Sequence, residues 1–143
     1  MANEHVMMTQ KTAPISMTCA AGTGIEKGTL LKMTDPNTAI ATSAARDYVC
    51  GVAYTEYLAN SGGVVAVLTG PGDELKASAS GSITAGDPLI VAAGGGGFNF
   101  LQSGVTLLGE LSGSAIVGYS KETATATQTF KYVLNITSVP GGV

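Results

Sequence analysis

Two short segments of this chain follow one pattern, Val49-Cys-Gly-Val-Ala-Tyr-Thr-Glu56 and Ile116-Val-Gly-Tyr-Ser-Lys-Glu122. Each carries a glycine between hydrophobic residues and ends in a glutamate. Short runs rich in β-branched and aromatic residues are typical of β-strands, and a glycine inside a strand marks a bend or a close approach of two backbones. The segments therefore predict two related strands, with Gly51 and Gly118 at equivalent positions.

The sequence on either side extends this match into a degenerate internal repeat, over approximately residues 27–69 and 85–137. In each copy, a glycine followed by Thr or Asp opens a first strand, and a hairpin comes next. After the glycine-containing strand, a polar loop leads to a strand rich in β-branched or aromatic residues. The repeat predicts two similar β units that pack into one compact barrel-like or sandwich-like domain.

Turn residues separate the strands that this interpretation requires. Asp35-Pro36-Asn37 predicts a hairpin, Pro88 predicts the start of an edge strand, and the glycine run at 94–97 predicts a mobile loop. Helical periodicity is weak, so at most a turn or two of helix is expected at 43–47, 56–60 and 105–111. The fold class is mainly β. The candidate strands are Thr29–Met33, Thr38–Thr42, Tyr48–Glu56, Gly63–Thr69, Glu74–Ser78, Pro88–Ala92, Phe98–Gln102, Ala115–Lys121 and Thr129–Thr137.

Residues 1–21 differ from the rest because they are polar, rich in threonine and poor in turn signals. Pro14 opposes a continuous helix there. We expect an extended N-terminal arm over 1–21, followed by a single β-rich domain over 22–143. The apolar residues of the arm are the candidate contacts to another protein chain, namely Val6, Met7, Met8, Ile15 and Met17.

The composition points to an assembly. Only 12% of the 143 residues are charged, whereas 45% are hydrophobic, and an ordinary soluble domain is about 25% charged. Other protein chains are the expected cover for this apolar excess. A net charge of −3 with a single arginine argues against a nucleic-acid partner. The apolar runs fall far short of the roughly 20 residues of a membrane span, and the first residues show no secretory signal.

Catalytic and cofactor chemistry finds little support in the residues. His5 is the only histidine, and it lies in the expected arm, where a catalytic triad or a metal site is difficult to build. Cys19 and Cys50 are too far apart for a CxxC motif and are interpreted as reduced thiols. Glu56 and Glu122 are interpreted as solvated strand ends rather than a catalytic carboxylate pair. We expect no enzyme, no cofactor and no metal.

Three strings carry a resemblance to a known family, Ile83-Thr-Ala-Gly-Asp-Pro-Leu-Ile90, Ile116-Val-Gly-Tyr-Ser-Lys-Glu-Thr-Ala-Thr125 and Thr129-Phe-Lys-Tyr-Val-Leu-Asn135. Over residues 22–137 the chain resembles the head decoration, or cement, proteins of tailed bacteriophages. The resemblance implies a β-rich homotrimer on the outer capsid surface that clamps neighbouring major capsid subunits. It also implies an N-terminal segment that reaches the capsid or an adjacent decoration subunit, and it transfers no catalytic residues.

Two other classes of function fit the same composition. A different virion component, such as a tail-tube, fibre-base or head-completion subunit, needs the same apolar contacts between chains. A β-barrel module that binds a sugar or small ligand is the third possibility. A ligand pocket gathers aromatic and convergent polar groups, whereas this chain has no tryptophan and disperses its three phenylalanines and five tyrosines.

Overall fold

The computed structural model describes residues 4–20, 22–45, 47–94, 97–104 and 116–136. The chain is a compact, mainly β domain, as the sequence predicts, and its described residues contain no α-helix. The strands, numbered in chain order, are β1 Val6–Thr9, β2 Ile15–Cys19, β3 Leu30–Asp35, β4 Thr38–Ala41, β5 Val49–Ala53, β6 Val64–Leu68, β7 Asp73–Ser78, β8 Pro88–Gly94, β9 Gly97–Ser103, β10 Gly118–Ser120 and β11 Thr129–Leu134.

The first unit is a small closed barrel in the order β2-β4-β3-β5-β6. Neighbouring strands are antiparallel except for β2 and β4, which run parallel. The β3–β4 hairpin turns at the predicted Asp35-Pro36-Asn37 segment, where Asn37 adopts a φ of 56°. Asparagine tolerates this left-handed conformation better than most residues. Side chains fill the barrel, including Met17, Leu31 and Val65, as expected for so few strands.

The second unit repeats this pairing in a six-stranded sheet of order β1-β7-β11-β10-β8-β9. A hairpin joins β8 to β9, β10 pairs with both β8 and β11, and β11 pairs with β7. A parallel bridge from Ala79, just after β7, to Leu101 of β9 corresponds to the parallel closure of the first unit. Here β1 also lies along β7. The two β units therefore share one connectivity, and β1 is an additional strand of the second.

One core joins the two units. Leu30, Val52 and Leu68 of the barrel strands pack with residues of the sheet such as Leu75 and Tyr132, and all five are at most 1% exposed. A side-chain hydrogen bond adds to this contact, because the Leu30 amide donates to Asn99 Oδ1 at 2.9 Å. Burial of each large apolar side chain stabilises the fold by about 2 kcal/mol. The core therefore couples the barrel and the sheet into one domain.

Gly51 and Gly118 occupy equivalent places, in β5 and β10, as the sequence pattern predicts. A Cβ atom on Gly51 would collide with Val67 Cγ1 and the Leu68 carbonyl oxygen, and one on Gly118 would collide with the Val133 carbonyl oxygen. Each glycine thus faces the final strand of its own unit. The prediction of a close backbone approach is confirmed at both positions, since no side chain fits there.

All nine predicted strands are present, but three local expectations differ from the structure. The glycine run belongs partly to strands, since β8 ends at Gly94 and β9 begins at Gly97, where these two residues pair. Pro88 begins an interior strand, because β8 lies between β10 and β9; as the first strand residue it needs no ladder donor. Residues 43–45, 47 and 56–60 form bends, turns and a bridge rather than helix, and residues 46 and 105–111 lie outside the described residues.

The expected N-terminal arm also differs, because both of its extended segments pair within the fold. β1 adds to the sheet through Val6 opposite Lys76 and Met7 opposite Leu75. β2 is a strand of the closed barrel, between β4 and β6. The physical reason is the alternation of Ile15-Ser-Met-Thr-Cys19, which turns Met17 into the barrel core at 5% exposure. The folded domain therefore begins before the expected boundary at residue 22.

Candidate functional site: the outer face of the six-stranded sheet

The central strand β7 divides the six-stranded sheet into a buried and an outer face. Asp73, Leu75 and Ala77 are buried, while the intervening Glu74 and Lys76 are half-buried, as the two-residue period of a strand requires. Directly paired residues share a face of the sheet. The outer sheet face defined in this way consists of Val6, Thr9, Glu74, Lys76, Tyr119, Lys131 and Val133.

An open groove of about 430 Å³ crosses this face. Tyr119 stands in it at 46% exposure, and Lys11 and Lys121 line it together with Glu74. Lys121 Nζ lies 2.6 Å from Glu74 Oε2. The hydrogen bond from Lys121 lowers the pKa of Glu74, and the same bond raises the pKa of Lys121. The groove thus combines an exposed aromatic ring, which offers apolar contact area, with ammonium groups, which attract an anionic group.

The structure separates the five candidate contact residues of the N-terminal segment. Val6, Met8 and Ile15 are 56%, 42% and 47% exposed. Met7 is half-buried against the shared core, and Met17 is inside the barrel. Only Val6, Met8 and Ile15 therefore offer apolar surface to another chain, and Val6 belongs to the outer sheet face.

His5 is a structural element that the sequence reasoning missed. Its ring is 4% exposed; Nε2 donates to the Asn99 carbonyl oxygen at 2.7 Å and Nδ1 accepts from the Tyr132 hydroxyl at 2.5 Å. Its backbone amide donates to the Gly28 carbonyl oxygen. His5 therefore links the start of the chain to both units. Desolvation lowers the pKa of His5 to about 4, although the bond to the Asn99 carbonyl acts in the opposite direction.

Acidification is expected to destabilise the protein through His5. The unfolded histidine has a pKa near 6.5 and the folded one near 4, so its stabilising contribution is complete above pH 6.5 and is lost as the pH falls toward 4. The loss between pH 7 and pH 4 is about 3 kcal/mol in the free energy of unfolding. Urea titrations at the two pH values measure it.

His5→Gln is the control for this pH effect, because glutamine keeps a hydrogen-bond donor but does not titrate in this range. The variant is expected to be less stable at pH 7 and to lose less free energy between pH 7 and pH 4 than the wild type does. Carboxylates of lowered pKa, such as Asp47, act in both proteins. Equal losses in the two proteins would show that His5 does not cause the acid sensitivity.

Asp73 anchors the segment between β1 and β2. Its side chain is fully buried. Oδ1 accepts hydrogen bonds from the Lys11 and Thr12 backbone amides at 2.5 and 2.9 Å, and Oδ2 accepts one from Thr12 Oγ1 at 2.5 Å. A buried carboxylate requires such partners. The connection between the two N-terminal strands is therefore fixed to β7, beside the outer sheet face.

The residues considered for chemistry do not come together. Glu122 Oε1 accepts a hydrogen bond from the Lys131 amide in the second unit, whereas Glu56 lies on the exposed loop after β5 of the first. Cys19 and Cys50 are both free thiols. Burial raises the pKa of Cys50 to about 11, which makes its reactive thiolate scarce at neutral pH.

Two features are absent from the part of the chain that the structure describes, a metal-binding cluster and a membrane-spanning helix. Over those residues, the structure contains no group of three or more His, Cys, Asp or Glu side chains placed to hold a metal ion. Over the same residues, it contains no helix long and apolar enough to span a membrane.

The fold places the chain among all-β domains in which two β units pack around one shared core. Among solved structures, it is similar to the head fiber gp8.5 N base of bacteriophage phi29, with a TM-score of 0.51 over 85% of this chain and 92% of that one. The two sequences are 18% identical, so the likeness is one of fold. No family model and no curated protein matches the sequence.

Proposed function

We propose that this chain is a structural protein of a phage head, which binds the outer capsid surface as a homotrimer and holds neighbouring major capsid subunits together. The observation that carries the proposal is the fold likeness, over 85% of the chain, to the base of a phage head fiber. The resemblance of the sequence to phage decoration proteins supports the same role. In this proposal the chain acts by binding alone and uses no cofactor or metal.

Exposed apolar side chains near the N-terminus support a contact with the capsid or with an adjacent subunit. Val6 and Met8 lie on β1, which is the first strand of the sheet order, and Ile15 begins β2. Covering side chains of this size stabilises a contact by about 1–2 kcal/mol each. Three copies of so small a contact on one trimer bind firmly, because the second and third contacts form at high effective concentration.

The proposal is tested with heads of the source phage that lack this protein. Purified chain is expected to be a trimer by native mass spectrometry, to cosediment with the heads, and to appear as threefold density on their outer surface by cryo-electron microscopy. A chain that stays monomeric at micromolar concentration and does not cosediment would overturn the proposal. Sixfold rings at a vertex or tail would favour a tail or head-completion subunit instead.

A pair of substitutions tests the apolar contact. Val6→Ser combined with Met8→Ser is expected to weaken binding to heads at least tenfold, because burial of both side chains is lost. Val64→Ser is the matched control, since Val64 is equally exposed at 54% but lies on β6 of the barrel. Equal binding by the double variant and the control would exclude Val6 and Met8 from the contact.

A further inference from the structure

The cations of this acidic chain are concentrated on one surface. The sequence has seven Lys and Arg against ten Asp and Glu. Four of the seven cations lie on the outer sheet face or in its groove, together with one carboxylate, that of Glu74. This face therefore carries more cations than carboxylates, although the chain as a whole is acidic. The four cations are Lys11, Lys76, Lys121 and Lys131.

Two of these cations oppose each other directly. Lys76 of β7 and Lys131 of β11 are register partners on the outer face, and both residues are half-buried. Like charges in directly opposite positions destabilise an antiparallel pair. Glu74 on the same face offsets part of this repulsion, and an anionic group from another chain would offset more of it.

An acidic loop surface lies on the first unit. The buried residues Ile25 and Tyr57 form an antiparallel bridge, with backbone hydrogen bonds of 2.9 and 2.8 Å between them. Their chain neighbours Glu26 and Glu56 are exposed and oppose each other across this bridge. Leu58, at 66% exposure, follows on the same loop. Glu26, Glu56 and Leu58 define the acidic loop surface.

We propose that the outer sheet face of one copy binds the acidic loop surface of the next copy. The carboxylate of Glu56 then approaches Lys76 and Lys131, and Leu58 enters the groove beside Tyr119. The two surfaces are different patches of one chain, so the contact is heterologous, and heterologous contacts close into a ring when the rotation between copies permits. The inference rests on the proposed homotrimer and specifies its interface.

A second copy is the occupant that the charges favour. The chain itself supplies both halves of the contact, a basic groove with an exposed aromatic ring and an acidic loop with an exposed leucine. Charge complementarity of this kind sets the register of an interface and speeds association. Surface charges are screened by salt, so the trimer is expected to dissociate more readily as ionic strength increases.

Lys76→Glu tests the inference without harming the fold. The new carboxylate lies opposite Lys131 and replaces a like-charge pair by an opposite-charge pair, so the melting temperature, compared at a concentration at which both proteins are dissociated, is expected to stay the same or to increase. The concentration at which the trimer dissociates is expected to increase about tenfold or more, because the partner's carboxylates are now repelled. Analytical ultracentrifugation of the full chain measures this shift.

Two further variants identify the contact. Glu56→Lys is expected to weaken the trimer as Lys76→Glu does, and the double variant with both changes is expected to restore it, since the charges are exchanged across the interface. Lys27→Glu is the control. It changes the net charge by the same amount as Lys76→Glu but lies beside Glu26, so it is expected to leave the trimer as strong as in the wild type or stronger.

The possible outcomes distinguish a failure of the proposed homotrimer from a failure of the proposed interface. A monomeric wild type overturns the proposed homotrimer and this interface with it. A trimeric wild type whose Lys76→Glu variant dissociates at the same concentration overturns the interface alone. Equal weakening by Lys27→Glu and Lys76→Glu assigns the effect to net charge and also overturns the interface, as does a double variant that fails to recover. Loss of capsid binding by a Lys76→Glu variant that remains trimeric would assign the basic face to the capsid.

Discussion

Deletion of residues 1–17 is expected to abolish folding, because this segment contributes to both units. The deletion removes β1 and most of β2, and with them His5 and the backbone donors to the buried Asp73. Loss of a buried side chain such as Met17 alone costs about 2–5 kcal/mol, whereas the total stability of a domain is about 5–15 kcal/mol. Far-UV circular dichroism and thermal unfolding measure the result.

Point variants separate this structural effect from the loss of apolar surface. Met17→Ala is expected to lower the free energy of unfolding by about 2–4 kcal/mol. Val6→Ala is expected to change it by less than about 0.5 kcal/mol, because Val6 is 56% exposed. A shortened chain that unfolds cooperatively near the melting temperature of the full chain would contradict the assignment of β2 to the barrel.

Gly118→Ala is expected to destabilise the protein by about 3 kcal/mol or more. The added methyl group would fall on the carbonyl oxygen of Val133 in the adjacent strand β11. A clash with the backbone cannot be relieved by a change of rotamer, so the cost exceeds that of ordinary overpacking. Urea denaturation gives the free energy of unfolding, and the equivalent Gly51→Ala in the first unit is expected to behave in the same way.

Gly22→Ala is the matched control for these glycines. No atom beyond its chain neighbours lies within 4 Å of a Cβ built at Gly22, so this substitution is expected to change stability by less than about 0.5 kcal/mol. A Gly118→Ala variant as stable as the control would mean that the pairing between β10 and β11 tolerates a side chain there.

Much of the fold could be predicted from local patterns. Residue alternation, turn residues and the two glycine-containing segments identified nine strands and a pair of similar units, because each of these signals acts within a few residues. The segments that form β1 and β2 have few turn signals around them, and this pattern favours an extended arm rather than two paired strands. The alternation of Ile15, Met17 and Cys19 with polar residues was a signal for β2, but a five-residue segment does not reveal its partners.

The candidate site was harder to predict because it depends on register. Lys76 and Lys131 are far apart in sequence and meet only through the pairing of β7 with β11. Val6 joins them through a strand that the sequence did not indicate. His5 illustrates the same limit, since a polar residue near a chain end is usually solvated, and only its contacts with Asn99 and Tyr132 explain its burial.

The position of β1 has a consequence for biosynthesis. The pairings of the barrel strands are complete once residue 68 has been made, so this half can close while translation continues. β1 is synthesised before the barrel strands, yet its strand partner among the described residues is β7, which begins at Asp73. β1, which contains Met7 and Met8, therefore remains without its strand partner until the second half of the chain has been synthesised.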